Sequence, residues 1–434
     1  MSGRVVLLTG VTGFVGKVVL DELLRRREAL GVEKVLLLVR AHDAERADAR
    51  LRTEVLRSPC FAAQPAGFEK RVEALAGDIT RPDLGLDPDA LARVRDETTH
   101  VVHCAASIEF SLPIAEAAAV NVGGALHALE VARSARRIAS FASVSTAYVT
   151  PHPTRRPGPA PPIPEALVPL PVDAEALCAA IDAGRAREDA LLRETGHPNT
   201  YTVTKCLAEH RITRSAGDLP VTLVRPSIVS ASRRLPTPGW IDSAAAFAGF
   251  VALIGTGRLR VVAGDPEARL DVVPCDAVAE RILAAAFAPP PRGRLRIAHA
   301  VAGACGALPI HLCRERIVGW FRRHPAGGRA RVDYVGSPGP AFRVAHALRH
   351  ELPARVAARV LALRGRPRRV RAVEKLLERQ RAIQRDFAYF THASFDFETS
   401  APLEPALDPA SYLDLVCEGV GRHLLGRERR RGAA

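Results

Sequence analysis

No two of the eight cysteines (Cys60, Cys104, Cys178, Cys206, Cys275, Cys305, Cys313 and Cys417) are spaced as a C-x-x-C pair, and none shows metal-ligand spacing. That excludes a recognisable metal module or disulfide framework and fits reduced thiols in a cytoplasmic setting. Long apolar runs are also missing. The longest nearly uncharged one, Ala244 to Ile254, falls well short of the roughly 18–20 residues that span a bilayer, and reads as a core helix. No charged leader with an apolar core precedes the first strand, so secretion is not expected. Lysine is scarce, with only Lys17, Lys34, Lys70, Lys205 and Lys375, yet arginine brings the net charge to +14. No nucleic-acid-binding module accompanies that charge. Phosphate-bearing small molecules and anionic membrane surfaces are therefore the expected partners, and nucleic acid is not. With 47% apolar and 25% charged residues the composition is that of an ordinary globular protein, and 434 residues predict two or three structural units.

Glycine is placed where it can work. Thr9-Gly10-Val11-Thr12-Gly13-Phe14-Val15-Gly16 lies between an apolar run, Arg4 to Leu8, and an amphipathic one, Val15 to Leu24. On such a strand-to-helix turn Gly10 allows the tight bend, Gly13 lets backbone approach a pyrophosphate and Gly16 allows close helix–sheet packing. The second apolar run, Val35 to Val39, reads as a strand buried on both faces and ends in Arg40. An arginine at that place accommodates a 2′-phosphate, which favours NADP over NAD; the alternative is a solvated strand-end cation.

Further strands are expected at Arg71 to Ala76, His100 to Ala106, Ile138 to Val144 and Val221 to Val224, alternating with helices that include Arg46 to Leu56 and Asn121 to Arg133. The alternation predicts an α/β fold, a doubly wound parallel sheet of Rossmann type that binds ligands beyond the carboxyl ends of its strands. Asp78, after the third strand, is a candidate for the adenine amino group or for a helix cap. His103, inside its strand, reads as a core histidine. The proline-rich stretch Pro151 to Pro171 must be a loop. With the helical pattern Ala174 to Thr195 it reads as a cover over the site or as a surface insertion. Pro238 to Asp242 and Asp271 to Pro274 read as loops near the site, and Pro289 to Gly293 as a soft boundary. Basic amphipathic helices are expected at Val344 to Leu363 and Arg371 to Phe387, a pattern that suits either peripheral contact with an anionic membrane or a solvated face.

Tyr201 and Lys205, four apart, share one face of a helix that follows the strand ending in Ser145 and Thr146. Reduction of a carbonyl by hydride builds charge on oxygen, which calls for a proton donor and fixed hydrogen bonds. Tyr201 can donate the proton, Lys205 can lower the phenol pKa and hold the nicotinamide ribose, and either Ser145 or Thr146 can hold the carbonyl oxygen.

These residues stand in TGVTGFVG (9–16), KVLLLVR (34–40), GDIT (77–80), VVHCAASIEF (101–110), VSTAYV (144–149), NTYTVTK (199–205), LVRPSIV (223–229), PGWID (238–242) and DVVP (271–274). Together they resemble the extended short-chain dehydrogenase/reductases and, within them, the fatty acyl-CoA reductases. FTHASFDFETS (390–400) and DPASYLDLVCEGVGRHLLG (408–426) are similar to the helical C-terminal domain of that family. The resemblance implies an NADP-binding reductase domain over 1–300, with 151–198 as a covering insertion and 230–300 as its substrate-binding part, and a mainly helical C-terminal domain over 301–434. It implies NADPH-dependent reduction of a long-chain acyl-CoA: one hydride gives a hemithioacetal that collapses to aldehyde and thiol, and a second gives the primary alcohol. Tyr201, Lys205 and Ser145 or Thr146 are then catalytic. The implied cofactor contacts are Thr9, Gly10, Thr12, Gly13, Phe14, Val15, Gly16, Arg40, Asp78, Ile79, Cys104, Ala105, Ala106, Asn121, Lys205, Pro226, Ser227 and Ile228, with no metal. Open alternatives are an aldehyde-forming reductase of acyl-CoA or of an acyl carrier protein thioester, and a non-catalytic cofactor-binding or basic membrane-surface protein.

Overall fold

In the computed structural model, which describes residues 3–152 and 161–426, the apolar runs assemble into one sheet. β1 (Arg4–Thr9), β2 (Val32–Arg40), β3 (Val72–Gly77), β4 (His100–His103), β5 (Ser140–Val144) and β6 (Val221–Pro226) join an edge strand, Leu295–Ala300. The seven strands run in the order edge–β6–β5–β4–β1–β2–β3, and each pairs in parallel with its neighbours. Parallel strands need helical crossovers, so both faces are covered and the strands can be apolar throughout. Val6, Leu8, Leu37, Val102, Ala142 and Val224 pack under α1 (Phe14–Arg25) and the Cys275–Phe287 helix. Their neighbours Val5, Leu7, Leu36, Val101, Phe141 and Leu223 face the other way, toward the Pro88–Glu97, Gly124–Ser134 and Thr200–Ser215 helices. Each such side chain taken fully out of water contributes roughly 1.5–3 kcal/mol. Strand order reverses between β1 and β4, which opens a crevice at their carboxyl ends.

The structure defines three segments further. Asp271 to Pro274 is not all loop: Val272–Pro274 is a short strand parallel to Ile228–Ser230, because its two valines are buried on both sides. Pro289 to Gly293 leads into the edge strand of the main sheet. After the proline-rich loop, of which residues 153–160 lie outside the described part, the chain forms two helices, Ala174–Asp182 and Glu188–Thr195. Ala174, Cys178, Ile181 and Leu191 bury into the core cluster that holds Val203, Leu207 and Ile212. These two helices thicken the helix layer beside Thr200–Ser215.

A third core joins residues from both sides of position 300. Phe247, Phe250 and Val251 of the Ala246–Gly255 helix pack with Ile317 and Phe321 of Ile310–Arg323. The same cluster takes in Phe387 and Phe390 of Pro367–Thr391, Leu413 and Val416 of Pro409–Gly419, and Tyr148 just beyond β5. No helix among the described residues is long and apolar enough to cross a membrane.

Candidate active site

β1 ends at Thr9 and α1 begins at Phe14, with the glycine turn between them. Gly10 sits at φ +78°, and a Cβ there would lie 2.6 Å from the Ala105 amide nitrogen. A Cβ on Gly16 would lie 2.1 Å from the Gly10 carbonyl oxygen, so only glycine lets the helix rest on the turn. No side chain caps α1, and its first turn holds no acid. The helix start therefore offers N–H groups and a positive dipole end to an anion, and the cradle fits a dinucleotide pyrophosphate. The 238–242 loop braces the outside of the turn: the Trp240 ring lies 5.3 Å from that of Phe14, and Lys17 Nζ lies 2.6 Å from Asp242.

The other expected cofactor residues are held in unequal ways. Thr9 Oγ1 accepts from the Ala105 N–H (3.2 Å) and pairs with His103 Nδ1 (2.9 Å), fixing the Cys104-Ala105-Ala106 bend after β4. Burial pushes His103 down to about 3, as suits a neutral core histidine. Asn121 is buried and spent on protein: it clasps Ser107 through both its carbonyl and its amide, and its amide also donates to Thr204 Oγ1 (3.0 Å). Asp78 accepts from the Thr80 N–H (2.9 Å) and hydroxyl (2.8 Å), while Ile79 packs against Gly124. Arg40 is exposed at the end of β2, with Arg50 Nη1 donating to its carbonyl at 2.6 Å. Beyond β6, Ser227 donates to Asp271 at 2.5 Å, and Ile228 starts the short strand.

Asn199 caps the Thr200–Ser215 helix through the Thr202 N–H, and this fixes where its first turn points. Tyr201 on that turn meets the Thr146 side chain, and its ring stacks on Phe110 at 5.6 Å. Thr146 also accepts from the Tyr148 N–H (3.3 Å) and donates to the Pro226 carbonyl (3.4 Å), whereas the buried Ser145 Oγ has no partner. Lys205, one turn on, donates to the Val144 carbonyl at 2.6 Å. Burial pushes its amine down to about 8, against an upward pull from Glu209. Burial pushes Tyr201 up to about 12, while the Thr146 side chain pulls it down; the Lys205 amine is aimed at the β5 carbonyl.

A glycine cradle at a parallel switch point, with a tyrosine and a lysine one turn apart on a helix that meets the end of β5, is a nicotinamide-dependent reductase's arrangement. The family model described as "Male sterility protein", an NAD-binding family, matches residues 8–282. The chain belongs to the fatty acyl-CoA reductase family. Fatty acyl-CoA reductase 1 of Mus musculus and of Homo sapiens are each 29% identical to it over 459 residues, across 98% of this chain and 86% of theirs. Fatty acyl-CoA reductase wat of Drosophila melanogaster is 33% identical over 288 residues, 65% of this chain and 54% of that one. Among solved structures, the terminal R domain of the myxalamid PKS-NRPS pathway superposes with a TM-score of 0.66 at 20% identity, over 98% of this chain and 92% of its own. The reductase domain of a nonribosomal peptide synthetase from Mycobacterium tuberculosis gives 0.60 at 20%, over 96% and 93%. At such identity these two establish the fold. This protein is an oxidoreductase that binds a nicotinamide cofactor.

Several residues of this reductase's site escaped sequence reasoning. Phe110 bridges Tyr201 to Phe387 (6.4 Å) and Phe390 (6.0 Å), and Tyr148 is ringed edge-on by Phe390, Phe395 and Phe397 at 4.6–5.5 Å. The C-terminal motif thus delivers an aromatic wall to the strand-end hydroxyls. Arg225 and Glu209 form a buried bidentate pair at 2.9 and 2.6 Å, one helical turn from Lys205. Asp271 accepts from Ser227, Ala302 N–H and Gly303 N–H, tying the 227 bend to the start of the C-terminal region. The LVRPS and DVVP segments were legible as motifs, but which side chains they join is a property of three dimensions.

Proposed function

We propose that this protein reduces a long-chain acyl-CoA to the primary alcohol through the aldehyde, using NADPH, with Tyr201 as proton donor and Lys205 and Thr146 as its partners. The observation that carries the reading is the apolar aromatic wall of Phe110, Phe387 and Phe390 set directly on the ring of a buried-site tyrosine. Such a wall suits an alkyl chain beside the reacting carbonyl. Phe387 also lines a small apolar cavity with Phe250, Ile254, Ile317 and Val335, which suits further carbons of the chain. Burial there favours each methylene by about 0.8 kcal/mol, which makes chain length a selectable property.

NADPH, when bound, supplies the hydride. The chain's own residues handle the oxygen and its proton. A phenol held at about 12 keeps its proton at neutral pH yet surrenders it readily to an alkoxide, a much stronger base. Thr146 orients that phenol and is placed to share the oxygen. Lys205, fixed on the β5 carbonyl, holds positive charge behind the site. Arg40, exposed at the end of β2, would meet the 2′-phosphate.

The test is NADPH oxidation against a chain-length series of acyl-CoAs and the matching aldehydes, with products identified by mass. Two NADPH consumed per alcohol formed is expected. Aldehyde accumulating at one NADPH per thioester would overturn the alcohol as end product, and no oxidation with any thioester would overturn the substrate class. Tyr201→Phe is expected to lose about 10²–10⁴-fold in turnover while still binding NADPH; unchanged turnover removes it as the donor.

A further inference from the structure

Among the described residues seven large aliphatic side chains are exposed, and six of them lie on one helical stretch: Val344, Leu348, Leu352, Val356, Val360 and Leu363, between 40% and 85% exposed. They run through Pro340–His346, the π turn Ala347–Glu351 and Leu352–Leu363. Spacings of four and finally three place each one turn from the next, so they form a continuous ridge. A monomer rarely leaves such a ridge to water without a use for it. The opposite side of Leu352–Leu363 packs on Pro367–Thr391, and the two helices make a hairpin.

The ridge is flanked by cations. From 340 to 371 the sequence holds nine arginines and one acid, Glu351, which is engaged by Arg381 at 2.6 Å. The hairpin tip, Arg364-Gly365-Arg366-Pro367-Arg368-Arg369, is exposed throughout. Among the described residues no carboxylate stands within ion-pair distance of Arg359, Arg364, Arg366, Arg368 or Arg369.

We propose that this hairpin docks the protein on an anionic lipid bilayer, with the aliphatic ridge sunk to the headgroup–acyl boundary and the arginines against lipid phosphates. Charge decides the occupant. A second copy of this +14 chain would bring arginine against arginine across the ridge, whereas an anionic surface matches ridge and rim together. The docked hairpin is also continuous with the site: Pro367–Thr391, about 37 Å long, runs from its tip to Phe387 and Phe390, which meet Phe110 beside Tyr201.

The experiment is co-sedimentation of the full chain with vesicles of phosphatidylcholine, with and without phosphatidylglycerol, independent of any enzymatic assay. Two triple variants are compared: Leu348→Ser, Val356→Ser, Leu363→Ser, and Arg359→Glu, Arg366→Glu, Arg368→Glu. Wild type is expected to bind the anionic vesicles preferentially. Each variant is expected to bind them about tenfold or more weakly, with circular dichroism and turnover of a soluble substrate unchanged. Wild-type binding to neither vesicle, or undiminished binding by both variants, overturns the proposal. So does a wild-type dimer that the serine variant dissociates, which would assign the ridge to a contact between copies.

Discussion

Replacing Glu209 by glutamine perturbs both the scaffold and the reactive lysine, in separable ways. Glu209 and Arg225 are 1% and 0% exposed and share two hydrogen bonds. Removing one partner of a buried pair costs about 3–5 kcal/mol, because the other charge stays buried without compensation. The glutamine carbonyl keeps one hydrogen bond, so a loss near 3 kcal/mol is expected, read as a lower urea midpoint. The second effect falls on Lys205, whose amine burial brings from 10.5 down to about 8 while Glu209 holds it up. Because the folded-state value lies below the unfolded one, the folded protein releases this proton first, and the group's contribution to stability rises with pH between those values. In the proposed mechanism cationic Lys205 is the active form, so wild-type kcat/KM should decline as pH rises through about 8. In Glu209→Gln the decline begins at lower pH, since the anion that raised the amine is gone. A pH–rate profile measured beside the urea titration decides the matter. Reduced stability with an unmoved alkaline limb refutes the coupling of Glu209 to Lys205, and unchanged stability refutes the account of the buried pair.

Thr146→Val should cost about 10²-fold in turnover, by removing the side-chain partner of the Tyr201 phenol, while Ser145→Ala should cost much less. Steady-state rates that rank the two in the opposite order would move the third catalytic role to Ser145. Arg40→Asp should lower the preference for NADPH over NADH by about 10–100-fold, the worth of one charge-assisted contact exchanged for a repulsion. An unaltered ratio of the two kcat/KM values would take the 2′-phosphate away from Arg40.

The site was legible in the sequence wherever local chain geometry sets chemistry. Gly10 and Gly16 announce a backbone so tight that a Cβ would strike Ala105 and the Gly10 carbonyl. The four-residue step from Tyr201 to Lys205 is helix geometry in itself. The lysine's aim was not legible, because it depends on which carbonyl β5 presents across the sheet, and that proved to be Val144. Nor was the choice between Ser145 and Thr146: neighbouring residues at a strand end point to opposite sides, and only the packed Thr200–Ser215 helix shows which one meets the phenol.

Sequence alone determined the alternation of the first six strands with helices, their apolar faces, the strand-to-helix glycine turn and the family, because each is a matter of residue periodicity or of contiguous motif. Tertiary structure alone decided how segments far apart in the chain share work. Phe387, Phe390 and Phe397 reach Tyr148 and Phe110 across more than two hundred residues of chain, and Glu209 closes on Arg225 from a different element. It also decided which apolar residues of the basic helices stay in water. Helical spacing alone cannot tell a buried stripe from an exposed one, and only the packing of one helix on the next leaves the ridge from Val344 to Leu363 uncovered.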